Sequence, residues 1–220
     1  MTPSAAPRAR RSREAAALPR EFFARDTEIV ARDLLGCILE CHSEEGMTSG
    51  RIVETEAYIG EHDLACHATA GRTRRTEPLY GPPGTSYVYF VYGVHWCFNA
   101  VTREEGLPSA VLIRALEPVN GVDLMRRRRN AARKDADLTN GPGKLCAALG
   151  IDARHNALTL NRPPILIRAG DRVADEKVEI TPRIGIRESA DWPLRWLIAK
   201  NPYVSRTPPG FPRRRLAGPR

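Results

Sequence analysis

The sequence predicts an α+β fold: one domain built on a mostly antiparallel, curved β-sheet, with a protruding β-hairpin and surrounding helices. Strand-like runs dominate residues 18–205, helical patterns lie among them at intervals, and no strand–helix–strand rhythm of a parallel sheet is present. The chain has 220 residues, for which a single core is the default. Its hydrophobic content of 42% and charged content of 27% are ordinary for a globular chain.

The first folded element is expected to be a helix over 27–35, capped by Asp26 or Thr27, with Ile29, Val30, Leu34 and Leu35 as its apolar face and Gly36 after its end. Strands are expected over 37–42 and 50–59, joined by the polar turn around Glu44, Glu45 and Gly46. Residues 60–84 are punctuated by Gly and Pro and carry several charges, a long loop of the kind that usually has a function. TSYVYFVY (85–92) is rich in β-branched and aromatic residues, and His95 to Val101 is a second strand. Together they make a hairpin with Tyr92 and Gly93 near its tip. SAVLIRAL (109–116) is another strand, which Pro118 is expected to close. Residues 121–134 are expected to be helical and include four consecutive arginines, Arg126 to Arg129, which suit a solvated helix face. A short helix is expected from Pro142 to Leu149, followed by Gly150. The rest, to about residue 205, divides into short strands broken by Pro and Gly.

The formal net charge of +8 resides in the ends. Residues 1–17 carry four Arg and one Glu, residues 206–220 carry five Arg and no acid, and 18–205 balance at 25 basic and 25 acidic residues. Two basic tails, the first expected to be disordered, flank a neutral domain. They suit non-specific phosphate attraction and equally suit simple solubility. No run approaches the about 18 apolar residues of a membrane span, and no charged-then-apolar secretory leader is visible. The five cysteines, Cys37, Cys41, Cys66, Cys97 and Cys146, are odd in number and point to a reducing compartment. A cytoplasmic, nucleoid-associated location is expected in a bacterial cell. The Arg-, Ala- and Ser-rich N-terminus also fits a transit peptide, which leaves an organellar or nuclear location open.

The chemistry centres on RIVETEAYIG (51–60). Alternation puts Ile52, Glu54, Glu56 and Tyr58 on one face and Val53, Thr55 and Ala57 on the other. Two readings fit: a solvated edge face, or a pair of carboxylates working beside aromatics. The following loop adds His62 and His67, and the hairpin adds Tyr87, Tyr89 and Tyr92. A carboxylate among electron-rich rings suits flat or cationic bases.

The strings RIVETEAYIG, DLACHATAGRT, PGTSYVYFVYGVHWCFN, VLIRALEP, NGPGKLC and PRIGI occur in one order across residues 18 to about 205. In these the chain resembles the alkyladenine (3-methyladenine) DNA glycosylases. The resemblance implies a monofunctional enzyme that flips alkylated or deaminated purines, such as 3-methyladenine and hypoxanthine, out of double-stranded DNA and hydrolyses the N-glycosidic bond. By this resemblance Glu56, the second glutamate of ETEAY, activates the water, and Arg114 lies beside it. Tyr58 and Tyr89 sandwich the flipped base, His67 touches its edge, and Asn99 and Leu112 line the same pocket. Tyr92 enters the base stack, and Val94, His95 and Lys144 contact DNA. No metal, cofactor or membrane is implied, and a monomer is expected.

Other classes fit less well. A binding protein that flips bases without excising them has no use for Glu56. An RNA-recognition module lacks its aromatic signature string here. Zinc would need a second cysteine pair with ligand spacing beyond Cys37 and Cys41.

Overall fold

The computed structural model describes residues 16–216. The expectations for residues 1–15, as basic tail or targeting segment, lie outside the described residues. Among the described residues there are five α-helices: α1 (Arg20–Phe23), α2 (Thr27–Asp33), α3 (Val122–Arg128), α4 (Ala136–Thr139) and α5 (Pro142–Leu149). The strands are β1 (Ile38–Ser43), β2 (Gly46–Tyr58), β3 (Ser86–Val91), β4 (His95–Val101), β5 (Ala110–Asn120), β6 (Asn161–Arg162), β7 (Ile165–Arg168), β8 (Val178–Thr181), β9 (Arg195–Ile198) and β10 (Arg214–Arg215). All of their pairings are antiparallel, in one unclosed sheet, and the class is α+β as expected.

β2 organises the sheet because it is long enough to serve three neighbours. One of its edges pairs with β5 from Ser49 to Tyr58. Its other edge pairs first with β1, through Gly46 to Arg51, and then with β9, through Glu54 to Glu56. β1 leads on to β7 and β6, β9 to β8 and β10, and β5 to β4 and β3. The end of β2 that carries Glu54 and Glu56 is therefore interior, with strands on both sides. The edge-face reading fails there: both glutamates are 0% exposed.

Local sequence accounts for the elements, with corrections. The apolar face of α2 comes from Thr27, Val30, Ala31 and then Leu34, at helical spacing, whereas Ile29 faces solvent. Asp26 takes the N-cap position as expected but makes no side-chain capping hydrogen bond, and the Thr27 hydroxyl meets that of Thr102. β5 runs past Pro118 to Asn120. β4 pairs only with residues 110–112 of β5, so the missing Pro118 N–H can face an unpaired side. The helix expected over 121–134 stops at Arg128. Arg129 leaves helical geometry and donates to the Asp137 and Leu138 carbonyls. Arg126 pairs with Asp123 and Asp135, and Arg128 with Glu45, so most of the basic run is engaged within the protein. α5 spans the expected residues, and Gly150 closes it at φ +77° in the left-handed region that favours glycine.

The core lies between the sheet and its helices. α5 packs on β4 and β5, and α2 on β2. Phe98 and Ala100 of β4, with Val111, Ile113 and Ala115 of β5, supply the sheet side of the core. The opposite face of the hairpin carries Tyr87 and Tyr89, which join a smaller apolar cluster around Leu79, Tyr80, Val101 and Ala110. The segment read as a C-terminal tail continues the fold as far as β10, and Thr207 accepts hydrogen bonds from buried Arg195. No helix among the described residues is long and apolar enough to cross a membrane.

Candidate active site

A cavity of about 340 Å³ opens beside the hairpin, within the usual range for small-ligand sites. Three layers build it. β2 and β5 form its floor, β3 and β4 one wall, and the loop through His67 together with Ile184–Ile186 the other wall.

The floor follows from register. Glu56 pairs opposite Leu112 and Glu54 opposite Ala115, so the side chain of Arg114 lies between the two carboxylates. Arg114 donates from Nε to Glu54 at 2.8 Å and from Nη1 to Glu56 at 3.1 Å. Glu56 Oε2 also accepts from the Tyr58 hydroxyl at 3.0 Å, and Oε1 accepts from the Ile184 backbone N–H at 2.7 Å. A carboxylate offers about four acceptor positions. Three are used here, so one position on Oε1 stays open. The side chain itself is fully buried behind the Tyr58 and Arg114 side chains that line the cavity.

The pairing of β2 with β5 is irregular at three points, between Ser49 and Gly50, Ile52 and Glu54, and Glu54 and Thr55. A register shift between Ile52 and Glu54 sends both Ile52 and Val53 into the core. Glu54, Glu56 and Tyr58 still share the functional face.

Glu54 is the electrostatic anchor. Burial pushes its carboxyl up, but the Arg114 and Arg195 guanidiniums and two hydrogen bonds from Ser205 outweigh that and hold it below the usual range. Burial works against the charge on Arg114, and Glu56 and Glu54 outweigh it, so the guanidinium stays charged. Burial, and then the Glu56 charge, push the Tyr58 hydroxyl well above its ordinary value, which keeps it a donor.

The walls are aromatic. His67 packs edge-on to Tyr89 at 4.5 Å between ring centroids, and its Nδ1 lies 2.8 Å from the Tyr87 hydroxyl. Burial, and secondly the Arg75 guanidinium, lower the His67 pKa, so its ring is neutral at pH 7. Burial pushes the Tyr87 phenol up to about 12, so its hydroxyl also keeps its proton. Asn99 is buried opposite Tyr87, and its Nδ2 donates to the Tyr87 carbonyl at 2.9 Å. That bond uses one of its amide protons and leaves Oδ1 uncommitted. Leu112 lines the cavity between β4 and β2.

At the hairpin tip Tyr92 adopts φ +54° and is 84% exposed, and Val94 is 65% exposed. Most of this large aromatic is open to solvent, at the rim of the cavity. His95 packs over Gly143 of α5, where an added Cβ would come within 2.8 Å of the imidazole. Lys144 points to solvent and donates to Asn140 at 2.6 Å, away from the cavity lining. His62 does not line the cavity and lies 6.3 Å from Trp192.

The residues missed by sequence reasoning are those that hold the site together. Asp63 and Arg183 form a fully buried ion pair, and Arg195 is the second partner of Glu54. Arg183 lies within PRIGI and Asp63 within the Gly-punctuated loop, but nothing in their spacing announces that they meet. All five cysteines are free and buried, and burial pushes Cys37 and Cys41 up to about 11, which keeps them as thiols. Among the described residues no three His, Cys, Asp or Glu side chains gather around one point.

Comparison with known proteins gives this arrangement a context. Residues 21–202 match the family model described as methylpurine-DNA glycosylase. A protein of Carboxydothermus hydrogenoformans, named provisionally as a 3-methyladenine DNA glycosylase, is 48% identical over 190 residues, covering 86% of this chain and 98% of the relative. Proteins of the same provisional name from Myxococcus xanthus and Methanoculleus marisnigri are 46% and 47% identical, over 87% and 86% of this chain and 95% and 98% of their own.

Proposed function

The chain belongs to the methylpurine-DNA glycosylase family and is a DNA glycosylase, and from that premise we propose that it flips alkylated or deaminated purines out of duplex DNA and hydrolyses their N-glycosidic bond, leaving an abasic site. One observation carries the mechanism. Glu56 is buried, held at both oxygens by Ile184, Tyr58 and Arg114, and keeps one acceptor position open on Oε1. A water donating to that position is oriented for attack on the deoxyribose anomeric carbon. Glu56 takes its proton, and the carboxylate charge stabilises the oxocarbenium-like transition state. Arg114 holds Glu56 in place throughout.

The other roles are assigned on the same reading. Tyr58 and Tyr89 present ring faces or edges to a base in the cavity, His67 and Asn99 meet its polar edge, and Leu112 its apolar surface. Asn99 is placed to clash with the 2-amino group that guanine carries and hypoxanthine lacks. Tyr92 fills the gap left in the stack, offsetting an unstacking cost of a few kcal/mol. Val94 and His95 flank it on the DNA, and Lys144 offers a phosphate contact. No lysine lines the cavity among the described residues. On this reading the reaction is hydrolysis without a Schiff base, and the enzyme works as a monomer.

The test uses duplexes that each carry one methylated, deaminated or etheno-bridged purine, incubated with excess enzyme. Strand cleavage at the lesion only after hot alkali is expected. Cleavage without alkali contradicts the monofunctional reading, and no cleavage at any lesion overturns the function.

A further inference from the structure

Asp63 and Arg183 are both fully buried, and their ion pair is bidentate, at 2.5 and 2.7 Å. Burying two charges is expensive, and an ion pair seldom earns that burial through stability alone. Its contacts point to another use. Asp63 accepts from the Ile59 and Ala65 N–H groups and so folds the turn that follows β2. Arg183 donates to the Ala57 carbonyl at 3.0 Å, and its guanidinium lies 4.7 Å from the centre of the Tyr58 ring. Tyr58 lines the cavity and Arg183 does not, so the guanidinium backs the ring from behind. The next residue, Ile184, donates its N–H to Glu56.

We infer that the Asp63–Arg183 pair is a positioning device for hydrolysis, fixing in one piece the Tyr58 ring and the Ile184 N–H that holds Glu56. The inference rests on the proposed role of Glu56. A planar guanidinium can stack on an aromatic face while it chelates a carboxylate, whereas a lysine ammonium supplies the charge but neither the plane nor the fork. Arg183→Lys therefore keeps the ion pair and loses the alignment. Misplacement by about 1 Å is enough to cost about 100-fold in rate.

Two readouts decide it. The first is the Ile184 amide proton shift, with Glu56→Gln as the reference for a lost carboxylate bond. In Arg183→Lys it should move from the wild-type position towards that reference. The second is single-turnover excision of hypoxanthine, whose maximal rate per folded molecule should fall by about 10- to 100-fold. Half-saturation by lesion duplex should change less than the maximal rate, because the phosphate and stack contacts are untouched and only the Tyr58 ring among the base contacts shifts. A lower melting temperature with an unmoved Ile184 amide and a wild-type maximal rate would make the pair purely structural and overturn the inference. Should Arg183→Lys not fold, Asp63→Asn, which retains an acceptor, is judged on the same criteria. A wild type that excises no purine lesion would overturn the proposed function, and the amide shift would still decide the positioning claim.

Discussion

Replacing Glu56 by Gln is expected to slow single-turnover excision by at least about 100-fold, the low end for a lost general base, while the variant still binds lesion duplex. The side chain keeps its shape and loses its charge and basicity. The site also makes the amide uncomfortable. Oε1 accepts from the Ile184 N–H, and Oε2 accepts from Tyr58 and Arg114, so either amide orientation sets an NH2 group against a donor. An unsatisfied buried donor costs about 1–3 kcal/mol, so the variant should fold with reduced stability. The rate is read under saturating enzyme and the affinity by gel shift. Near-normal excision by the variant would remove Glu56 from the chemistry.

Arg114→Ala is expected to be the most destabilising single change at the site, by about 3–5 kcal/mol at pH 7, because it leaves two buried carboxylates without their shared cation. The sign with pH is specific. In the wild type the Glu54 carboxyl lies below its ordinary value, against the push of burial, chiefly through Arg114 and then Arg195. A carboxyl lowered in this way contributes stability that is present above the ordinary value of 4.5 and is lost as pH falls through the folded value. Removing Arg114 deletes much of that contribution and leaves burial to favour the protonated form. The gap between wild type and variant, measured as urea unfolding free energy, should therefore be widest near neutrality and narrow on acidification. A gap independent of pH would mean that the loss is one of packing alone. Excision should fall as well, since Glu56 loses one of its three donors.

The legible parts of the molecule were those set by local patterning. The hairpin was readable because TSYVYFVY and HWCFNAV alternate around a Tyr–Gly tip, and α5 because Pro142 and Gly150 bracket it. Of the site face read for β2, Glu54, Glu56 and Tyr58 stay together, whereas Ile52, on the far side of the shift between Ile52 and Glu54, joins the core. What stayed hidden depends on partners distant in sequence. β5 runs through Pro118 because one of its edges lacks a partner there, a fact of topology. α3 ends early because Arg129 finds carbonyls in the segment leading into α4. β10 lies in a Pro- and Arg-rich stretch that no local propensity marks as a strand. Asp63 with Arg183 and Glu54 with Arg195 span 120 and 141 positions of sequence, so each looks like an ordinary surface charge until the sheet assembles. The resemblance supplied proposed roles for residues of the cavity and the hairpin tip, and the supporting charges were visible only in three dimensions.

The most direct test of the account is a crystal structure of the Glu56→Gln variant bound to a duplex carrying hypoxanthine. The expected result is the base extruded into the cavity between Tyr58 and Tyr89, with His67 at its edge, Tyr92 in the vacated place in the stack, and a water or the anomeric carbon near the side chain of residue 56. A base still stacked in the duplex, with Tyr92 outside the helix and the cavity empty of purine, would contradict it.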